Sequence, residues 1–421
     1  MPRDIKLMTL SLFLWGWGYG LYAYVFPLHI RSLGALPGEV GAVFSIMLIA
    51  LAVSYVPGGI IADRCERKRT ILLSWLIGVP APLLYYFAAD YKVIAAGAAL
   101  YSLSMVGYPA MNAYAAQKAP AGMSGLAFGV INSGYAAGMI VGPVLGGWLA
   151  EIVGTRNVFL ISFAFFAVAV AVLCLIGSQS PGCAACESHA RNNATPGRST
   201  QGYAGLLRQG RFRRFVATYS CMAIAYYMIQ PLVSQYLGDE MGASLSFIGL
   251  TGSIMSLGQA TITLVLGRCA DKWGTAVALG GNGFVFSVAV LGLVTVRSIA
   301  LLAVVVFLAG AFMAGQGVAL AGVGEALGGS ATGRAFGLFN LAVAASSIVG
   351  PYAGGILYER SSTAPFLASA GASALLSLVL LLGGRRSCHN KESGEVVHPG
   401  APALSDGSPL TNSYLGGTRD A

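Results

Sequence analysis

Residues 125–151, GLAFGVINSGYAAGMIVGPVLGGWLAE, decide the architecture because the stretch occurs twice. Residues 333–359 read GRAFGLFNLAVAASSIVGPYAGGILYE, and 15 of the 27 aligned positions are identical. The displacement is 208 positions (333 − 125), and the same offset aligns Gly59 with Gly267 and Asp63 with Asp271 without a gap. A long match at one offset indicates an internal repeat. The two halves of the chain therefore follow one plan.

The composition assigns both halves to a membrane. Hydrophobic residues make up 56% of the chain and charged residues 10%, whereas a soluble domain is about one-quarter charged. The mean hydropathy is +0.71. The net charge of +9 would suggest nucleic acid only if the basic residues clustered on a soluble domain, which they do not. We expect a bilayer protein with no nucleic-acid partner.

Twelve apolar segments are long enough to cross about 30 Å of hydrocarbon. We number these spans 1 to 12, with limits 8–30, 36–62, 70–89, 93–116, 124–150, 156–177, 213–237, 244–267, 275–295, 298–322, 332–357 and 364–383. The sequence thus predicts an all-α membrane protein, with twelve transmembrane helices in two pseudo-symmetric six-helix bundles. The expected divisions are a first bundle at 1–177, a cytoplasmic linker at 178–212, a second bundle at 213–384 and a disordered cytoplasmic tail at 385–421.

Basic residues are concentrated on the side of the two termini. Because basic residues stay on the cytoplasmic side during insertion, both termini are predicted to be cytoplasmic in a cell-membrane protein. Residues 203–215, YAGLLRQGRFRRF, alternate apolar and arginine positions, which fits either anionic lipid at the inner leaflet or an ordinary basic flank. The opposite side carries only Arg31, Lys92, Arg156, Arg297 and Arg360.

A glycine and an aspartate recur in the loops after spans 2 and 8. The copies are Gly59-Ile-Ile-Ala-Asp63-Arg64-Cys-Glu66-Arg67-Lys68-Arg69 and Gly267-Arg-Cys-Ala-Asp271-Lys272-Trp-Gly274. The pattern resembles the loop signature of the major facilitator superfamily, although Glu66 replaces a usual glycine and the second copy lacks the trailing basic pair. The resemblance implies the major facilitator fold and a carrier that works by alternating access.

These loops suggest a gate. An aspartate at a helix end is stabilised beside the N-terminus of another helix, where unpaired N–H groups carry positive partial charge. We predict that Asp63 latches onto span 11 and Asp271 onto span 5, as the resemblance also implies. The alternative is that the loop charges only fix the topology. The basic residues expected to add contacts are Arg64, Arg67, Lys68 and Lys272.

Span 5 carries a second signature, which resembles the glycine motif of the antiporter branch of this superfamily, especially drug exporters. Glycines allow helices to pack closely, and a proline permits a bend, which suits a rocking motion. The copy in span 11 keeps Gly350 and Pro351, so generic packing is the alternative. The motif residues in span 5 are Gly138, Gly142, Pro143, Gly146 and Gly147.

Polar residues near the membrane centre are aromatic, hydroxyl or amide side chains. Such a cavity suits an apolar or amphipathic neutral solute, or a cation over aromatic faces, and not a multiply charged anion. For each residue, helix–helix hydrogen bonding is the alternative role. The candidate substrate-binding residues are Tyr19, Tyr22, Tyr108, Asn112, Tyr135, Tyr226, Tyr227, Gln230 and Gln316.

No Asp, Glu, Lys or Arg lies near the centre of any span. Proton coupling would therefore rest on Glu325, Glu39 or His29. We expect export of small hydrophobic or amphipathic compounds, with proton antiport as one option for its coupling. The alternatives are an uncoupled or substrate-driven facilitator of a neutral metabolite such as a sugar, and a non-transporting receptor on the same fold.

No phosphate-binding loop, metal-ligand cluster or nucleophile–base constellation is evident in the sequence. We therefore expect no ATP, no cofactor, no metal and no enzymatic activity. The resemblance implies that the carrier works as a monomer.

Overall fold

The computed structural model describes residues 1–120, 123–177, 203–327 and 333–392, and within these ranges the secondary structure is helical. The first half contains six spans. Their helices are Arg3–Ala23 and Phe26–Ser32 in span 1, Pro37–Arg64 in span 2, Arg67–Gly78 and Ala81–Phe87 in span 3, Tyr91–Leu103 and Tyr108–Lys118 with the 3-10 turn Ser104–Gly107 in span 4, Ser124–Val153 in span 5, and Thr155–Cys174 in span 6.

The second half repeats this order. The helices are Tyr203–Arg208, then Gly210–Ile229 and Leu232–Asp239 in span 7, Leu245–Trp273 in span 8, Thr275–Thr295 in span 9, Ile299–Ala309 and Ala311–Ala326 in span 10, Gly333–Ser347 and Val349–Arg360 in span 11, and Ala364–Glu392 in span 12. The last helix therefore continues to Glu392, past the start of the tail predicted at 385–421. The rest of that tail, and most of the predicted linker, lie outside the described residues.

The predicted all-α membrane architecture is confirmed. Eleven helical segments in the described ranges are long and apolar enough to cross a membrane. Span 1 is the exception, since its tryptophans, tyrosines and glycines reduce its hydropathy. It nevertheless packs along spans 5 and 6 as part of the bundle.

Local sequence signals explain where the helices begin and break. Ser244 caps span 8 by accepting a hydrogen bond from the Phe247 N–H at 3.2 Å. Proline has no N–H and is tolerated in the first turn of a helix. Accordingly, the second segments of spans 1 and 4 carry Pro27 and Pro109 in their first turn, and that of span 7 follows Pro231. These prolines mark the points where the three spans divide into two helical segments.

Each half has its own core. Buried apolar residues form one cluster between Ile5 and Ile176 and a second between Leu206 and Leu380. Trp15 stacks on Phe166 in the first cluster, with ring centroids 4.1 Å apart, and Tyr226 stacks on Phe312 in the second at 4.2 Å. Interiors this densely packed resist deformation. Motion of one half against the other is therefore less costly than rearrangement within a half.

The halves meet along two seams, where spans 5 and 8 and spans 2 and 11 run backbone against backbone. A β-carbon at Gly147 would overlap the Leu245 carbonyl oxygen, and one at Gly249 would overlap that of Pro143. Only glycine permits this approach.

The repeat offset maps the first seam onto the second. A β-carbon at Gly355 would overlap the Pro37 carbonyl oxygen, and one at Gly41 would overlap that of Pro351. Each of these four positions lies 208 residues from its counterpart in the seam between spans 5 and 8. The two seams are thus built by the same residues of the repeated unit.

The seams close one face of the protein. We call the face with Asp4, Lys118 and Gly177 the N-terminal face, and the face with Gly38, Glu151, Ser246 and Glu359 the far face. The hydrogen bonds that join the described residues across the seams lie in the far-face halves of the spans. Toward the N-terminal face, Asn132 of span 5 and Asn340 of span 11 are exposed. Among the described residues, the two bundles are therefore joined by hydrogen bonds at the far face and not toward the N-terminal face.

The N-terminal face of the first half is held together by Asp4. Its carboxylate accepts hydrogen bonds from Tyr114 at 3.0 Å and from the Gly177 N–H at 3.2 Å, and pairs with Lys118 at 3.0 Å. Burial raises the pKa of Asp4, but these hydrogen bonds and the Lys118 charge outweigh burial and hold the pKa below its usual value. The contacts join spans 1 and 4 to the end of span 6.

The seam between spans 5 and 8 gives the first testable prediction. Gly249→Val should lower the melting temperature of the purified protein by several degrees, because overpacking costs about 1–3 kcal/mol. Gly267→Val lies in the same helix, where a β-carbon meets no atom within 4 Å, so it controls for helix propensity. Equal melting temperatures for the two variants would contradict the close approach.

Candidate functional site

Tyrosines from both halves converge between the bundles. Tyr19 stacks on Tyr101 with ring centroids 5.2 Å apart and meets the edge of Tyr22 at 5.3 Å. It also lies close enough to Tyr24 and to Tyr227 of the second half for electrostatic interaction. The sequence analysis placed Tyr19 and Tyr227 in one site, and the structure brings them together across the two halves.

Tyr24 belongs to this group, although the sequence analysis did not select it. Its ring packs against Gly252 of span 8, where a β-carbon would overlap the ring, and its hydroxyl hydrogen-bonds Ser256. The closely spaced tyrosines in Tyr19-Gly-Leu-Tyr22-Ala-Tyr24 could have suggested Tyr24 as a site residue. In a regular helix, however, Tyr19 and Tyr24 point in different directions. Tyr24 keeps a right-handed helical backbone conformation after the helix ends at Ala23, and its ring lies against span 8 of the second half.

Two of the selected tyrosines are core residues in this structure. Tyr22 is 2% exposed and packs against Phe26, Tyr85 and Phe159. Tyr226 is 4% exposed and stacks on Phe312. Both rings pack in the interior of one half, and Tyr226 also lies within electrostatic range of Tyr19 and Tyr24 of the first half.

The remaining candidates surround this space. The Tyr227 hydroxyl hydrogen-bonds Gln316 of span 10, and Tyr108 hydrogen-bonds Asn112 within span 4. Tyr135 of span 5 lies within electrostatic range of Tyr19 and Tyr108. Gln230 is half-buried at the break of span 7. Spans 1, 4, 5, 7 and 10 therefore contribute aromatic or amide side chains to one region, which we call the tyrosine site.

The tyrosine site has no buried charge of its own. Among the residues whose side chains are described, no Asp, Glu, Lys or Arg is buried. Glu325 is exposed and accepts hydrogen bonds from the Thr275 N–H at 3.3 and 3.4 Å, so it caps span 9. Glu325 therefore has a structural role as a helix cap, and it lies at a helix end.

The other two coupling candidates also lie near helix ends, at the far face. Glu39 accepts from the Leu36 N–H at 2.8 Å and from the Tyr91 hydroxyl at 2.6 Å. His29 is 5% exposed, its ring meets Phe159 at 5.0 Å, and its Nε2 atom has no hydrogen-bond partner in the described part of the chain. The structure thus separates all three candidates from the tyrosine site.

The Asp63 latch lies outside the described residues. The side chains of Gly59, Asp63 and Arg64, and residues 328–332 before span 11, are not described. Arg67 donates to Gln117 at 2.8 Å and Lys68 to the Ile176 carbonyl at 2.6 Å. Both basic residues therefore tie span 3 to its own half.

The predicted target of the Asp271 latch lies partly outside the described residues, since residues 121–122 and the side chains of Ser124 and Gly125 at the start of span 5 are not described. Asp271 is exposed, and a β-carbon at Gly267 would meet no described atom within 4 Å. The Lys272 ammonium lies 5.5 Å from the ring centroid of its neighbour Trp273. The latch onto span 5 therefore remains a prediction.

The glycine motif of span 5 has two faces. Gly138, Gly142 and Gly146 pack against the backbone of span 1 within the first half, whereas Gly147 faces span 8 across the seam. In span 11, Gly350 likewise packs on span 7 of its own half, and Pro351 meets span 2. Most of the motif therefore packs within a bundle, and a smaller part forms the boundary between the two halves.

The basic flank before span 7 is amphipathic. Leu206, Phe212 and Phe215 are buried. Binding of anionic lipid here remains a prediction. The arginines exposed around these apolar residues are Arg208, Arg211, Arg213 and Arg214.

Comparison with known protein families identifies the family to which this two-bundle protein belongs. The profile of the Major Facilitator Superfamily matches residues 8–208 and 215–412. The chain belongs to the major facilitator superfamily. Its members are membrane transporters and not enzymes, and the apolar helices described above make this chain a multi-pass membrane protein of that family.

Curated relatives are named for multidrug resistance. The chain is 27% identical over 267 residues to the multi-drug resistance efflux pump PmrA of Streptococcus pneumoniae, covering 59% of this chain and 62% of the relative. It is 30% identical over 258 residues to the multidrug resistance protein MdtG of Serratia proteamaculans, covering 59% and 61%. The chain thus spans about three-fifths of the length of these relatives.

Solved structures share the fold. A point mutant of the nucleoside transporter NupG superposes with a TM-score of 0.70 at 15% identity, covering 91% of this chain and 99% of NupG. A point mutant of the peptide transporter POT, in complex with sulfate, gives 0.71 at 14% identity, covering 92% and 95%. At this identity the likeness establishes the fold alone.

Tyr227 provides a test of the tyrosine site. Tyr227→Ala should weaken binding of a lipophilic cation such as tetraphenylphosphonium about five- to thirtyfold, since a cation–π contact contributes about 1–2 kcal/mol. Tyr227→Phe keeps the ring and should stay within about twofold of the parent protein. Titration calorimetry on the purified protein measures both. Equal affinities for the two variants would remove Tyr227 from the site.

Proposed function

We propose that this transporter exports small hydrophobic or amphipathic compounds, lipophilic cations among them, by alternating access. The observation that carries the proposal is the tyrosine site, an uncharged aromatic region between two bundles that are closed at the far face. Aromatic faces attract cations and also bury apolar groups, at about 25 cal/mol per Å² of apolar surface. The names of the curated relatives, multidrug efflux proteins, agree with such a substrate class.

We further propose that the chain lies in the cell membrane with both termini cytoplasmic. The support is the crowding of basic residues on the terminal side. In this orientation the tyrosine site opens toward the cytoplasm, from which an exporter takes its substrate. A C-terminal green fluorescent protein fusion should fluoresce in cells, and a C-terminal alkaline phosphatase fusion should be inactive. The reverse pattern would overturn the orientation.

Two modes of transport are compatible with this site, one coupled to protons and one uncoupled. Exchange for protons would use Glu325, Glu39 or His29, all away from the tyrosines. An uncoupled facilitator of a neutral solute is the second candidate, and the absence of buried charge in the described side chains favours it. A buried carboxylate with a tuned pKa is the usual means of binding a proton inside a membrane.

Reconstitution decides between these functions. Purified protein in vesicles containing a pH-sensitive dye is given tetraphenylphosphonium, a neutral hydrophobic dye or a sugar, with and without a pH gradient. We expect saturable movement of the cation, and proton movement that depends on the cation would show that transport is an exchange for protons. The Tyr227→Ala and Tyr227→Phe pair serves as a matched control, since only the alanine variant should raise the half-saturating cation concentration.

The other outcomes are equally specific. Movement of the cation without protons would support uncoupled export. Saturable movement of the sugar alone would favour the facilitator and contradict the proposed substrate class. Absence of transport for the whole panel in a protein that still binds the cation would point to a receptor.

A further inference from the structure

A glutamate at the end of each seam binds the other half of the protein. Glu151, the last residue of the repeated stretch, accepts a hydrogen bond from the Ser246 N–H at 2.8 Å and another from the Ser246 hydroxyl. Its counterpart Glu359 accepts from the Gly38 N–H at 2.9 Å. The offset of 208 residues relates Glu151 to Glu359 and also Gly38 to Ser246. The two contacts are therefore one interaction made twice.

Each contact places a carboxylate at the N-terminus of a helix. Ser246 is in the first turn of span 8, which begins at Leu245, and Gly38 is in the first turn of span 2, which begins at Pro37. The first N–H groups of a helix have no partner within it and carry positive partial charge. A carboxylate from the opposite half satisfies one of them only while the far face is closed.

Each helix start also has a cap from its own half. Glu39 accepts from the Leu36 N–H, and Ser244 accepts from the Phe247 N–H. Spans 2 and 8 can therefore keep a cap when the halves separate. The cross-half glutamates are not required for helix formation, which leaves closure of the far face as their contribution.

We propose that Glu151 and Glu359 are the far-face latches of the transport cycle, two carboxylate caps that stabilise the conformation closed at this face. The inference rests on the alternating-access cycle proposed above. The predicted latches of Asp63 and Asp271 would act at the N-terminal face. In the conformation closed at the N-terminal face, the starts of spans 5 and 11 would bind an aspartate of the opposite half. In the conformation closed at the far face, the glutamates at the ends of spans 5 and 11 bind the starts of spans 8 and 2.

The two latches are unequal. Ser246 gives Glu151 a hydroxyl as well as an N–H, and Ser244 adds a further hydrogen bond. The corresponding residues of span 2 are Gly38 and Leu36, which have no hydroxyl. Glu359 instead lies beside a surface cavity of about 550 Å³ that is also lined by Arg31 and Asp239. We infer that the Glu151 latch is the stronger of the two.

The experiment measures how often the far face is open. Spin labels at Asn157 and Arg297, exposed far-face residues of the first and second half, report the distance between the halves in the full-length protein in nanodiscs, with the native cysteines replaced by serine. Glu151→Gln and Glu359→Gln should each raise the population at the long distance relative to the population at the short distance. We call this quantity the distance ratio and expect it to rise about two- to fivefold, with the larger change for Glu151→Gln.

Asp90→Asn is the matched control, since Asp90 is exposed and accepts from the Lys92 N–H of its own half. It removes an acid from the same face that contacts only its own half, so the distance ratio should stay at the parent value. A shift equal to that of Glu151→Gln would overturn the latch, because the effect would then be general loss of negative charge.

Gly38→Ser tests the proposal in the opposite direction. A β-carbon at Gly38 would lie 2.8 Å from the Glu359 carboxylate oxygen, at the far end of a flexible side chain that can yield. The serine should copy the Ser246 contact and lower the ratio, and it should have no effect in a Glu359→Gln background.

The outcomes separate this proposal from the proposed function. If the parent protein exchanges between two distances and none of the variants changes their ratio, the latches are wrong and alternating access stands. If the parent protein gives one distance with and without substrate, alternating access itself fails. Melting temperatures near that of the parent protein confirm that the variants are folded.

Discussion

The close approach of backbones at the two seams is the constraint on which the rest of the structure depends. Spans 5 and 8, and spans 2 and 11, touch through glycines whose replacement would place a β-carbon on a carbonyl oxygen of the facing helix. In a bilayer there is no hydrophobic drive between helices, so close packing and hydrogen bonds must hold them together. Side chains between the seam backbones would separate them and leave the far face open.

The seams have consequences at both ends of the molecule. At the far face, they bring the ends of spans 5 and 11 within hydrogen-bonding distance of the starts of spans 8 and 2, which creates the places for Glu151 and Glu359. Arg31 and Asp239, also one repeat apart, lie 3.8 Å from each other at the same face. This exposed pair adds little energy. Its position indicates that equivalent surfaces of the two halves meet there.

The tyrosine site lies beside interruptions in the spans. Tyr24 follows the end of the first helix of span 1 at Ala23 and packs against Gly252 of the other half, and Gln230 lies at the interruption of span 7. The site therefore combines rigid cores with side chains that lie between the bundles. Movement of the bundles would change the distances between tyrosines of the two halves without repacking either core.

The sequence by itself determined the approximate number of spans and the division into two like halves, because hydrophobic length and a 208-residue repeat are properties of order along the chain. The loop motifs after spans 2 and 8 indicated the family by resemblance. It also identified the glycines of span 5 and most of the residues around the tyrosine site. Tertiary structure alone decided which way these residues face: Gly146 packs on span 1 and Gly147 on span 8, because a one-residue step turns a helix by about 100°. It alone selected Glu151 and Glu359, since their partners are backbone N–H groups, which every residue except proline carries. Such contacts join residues far apart in the sequence, and they exist only after the two bundles have met.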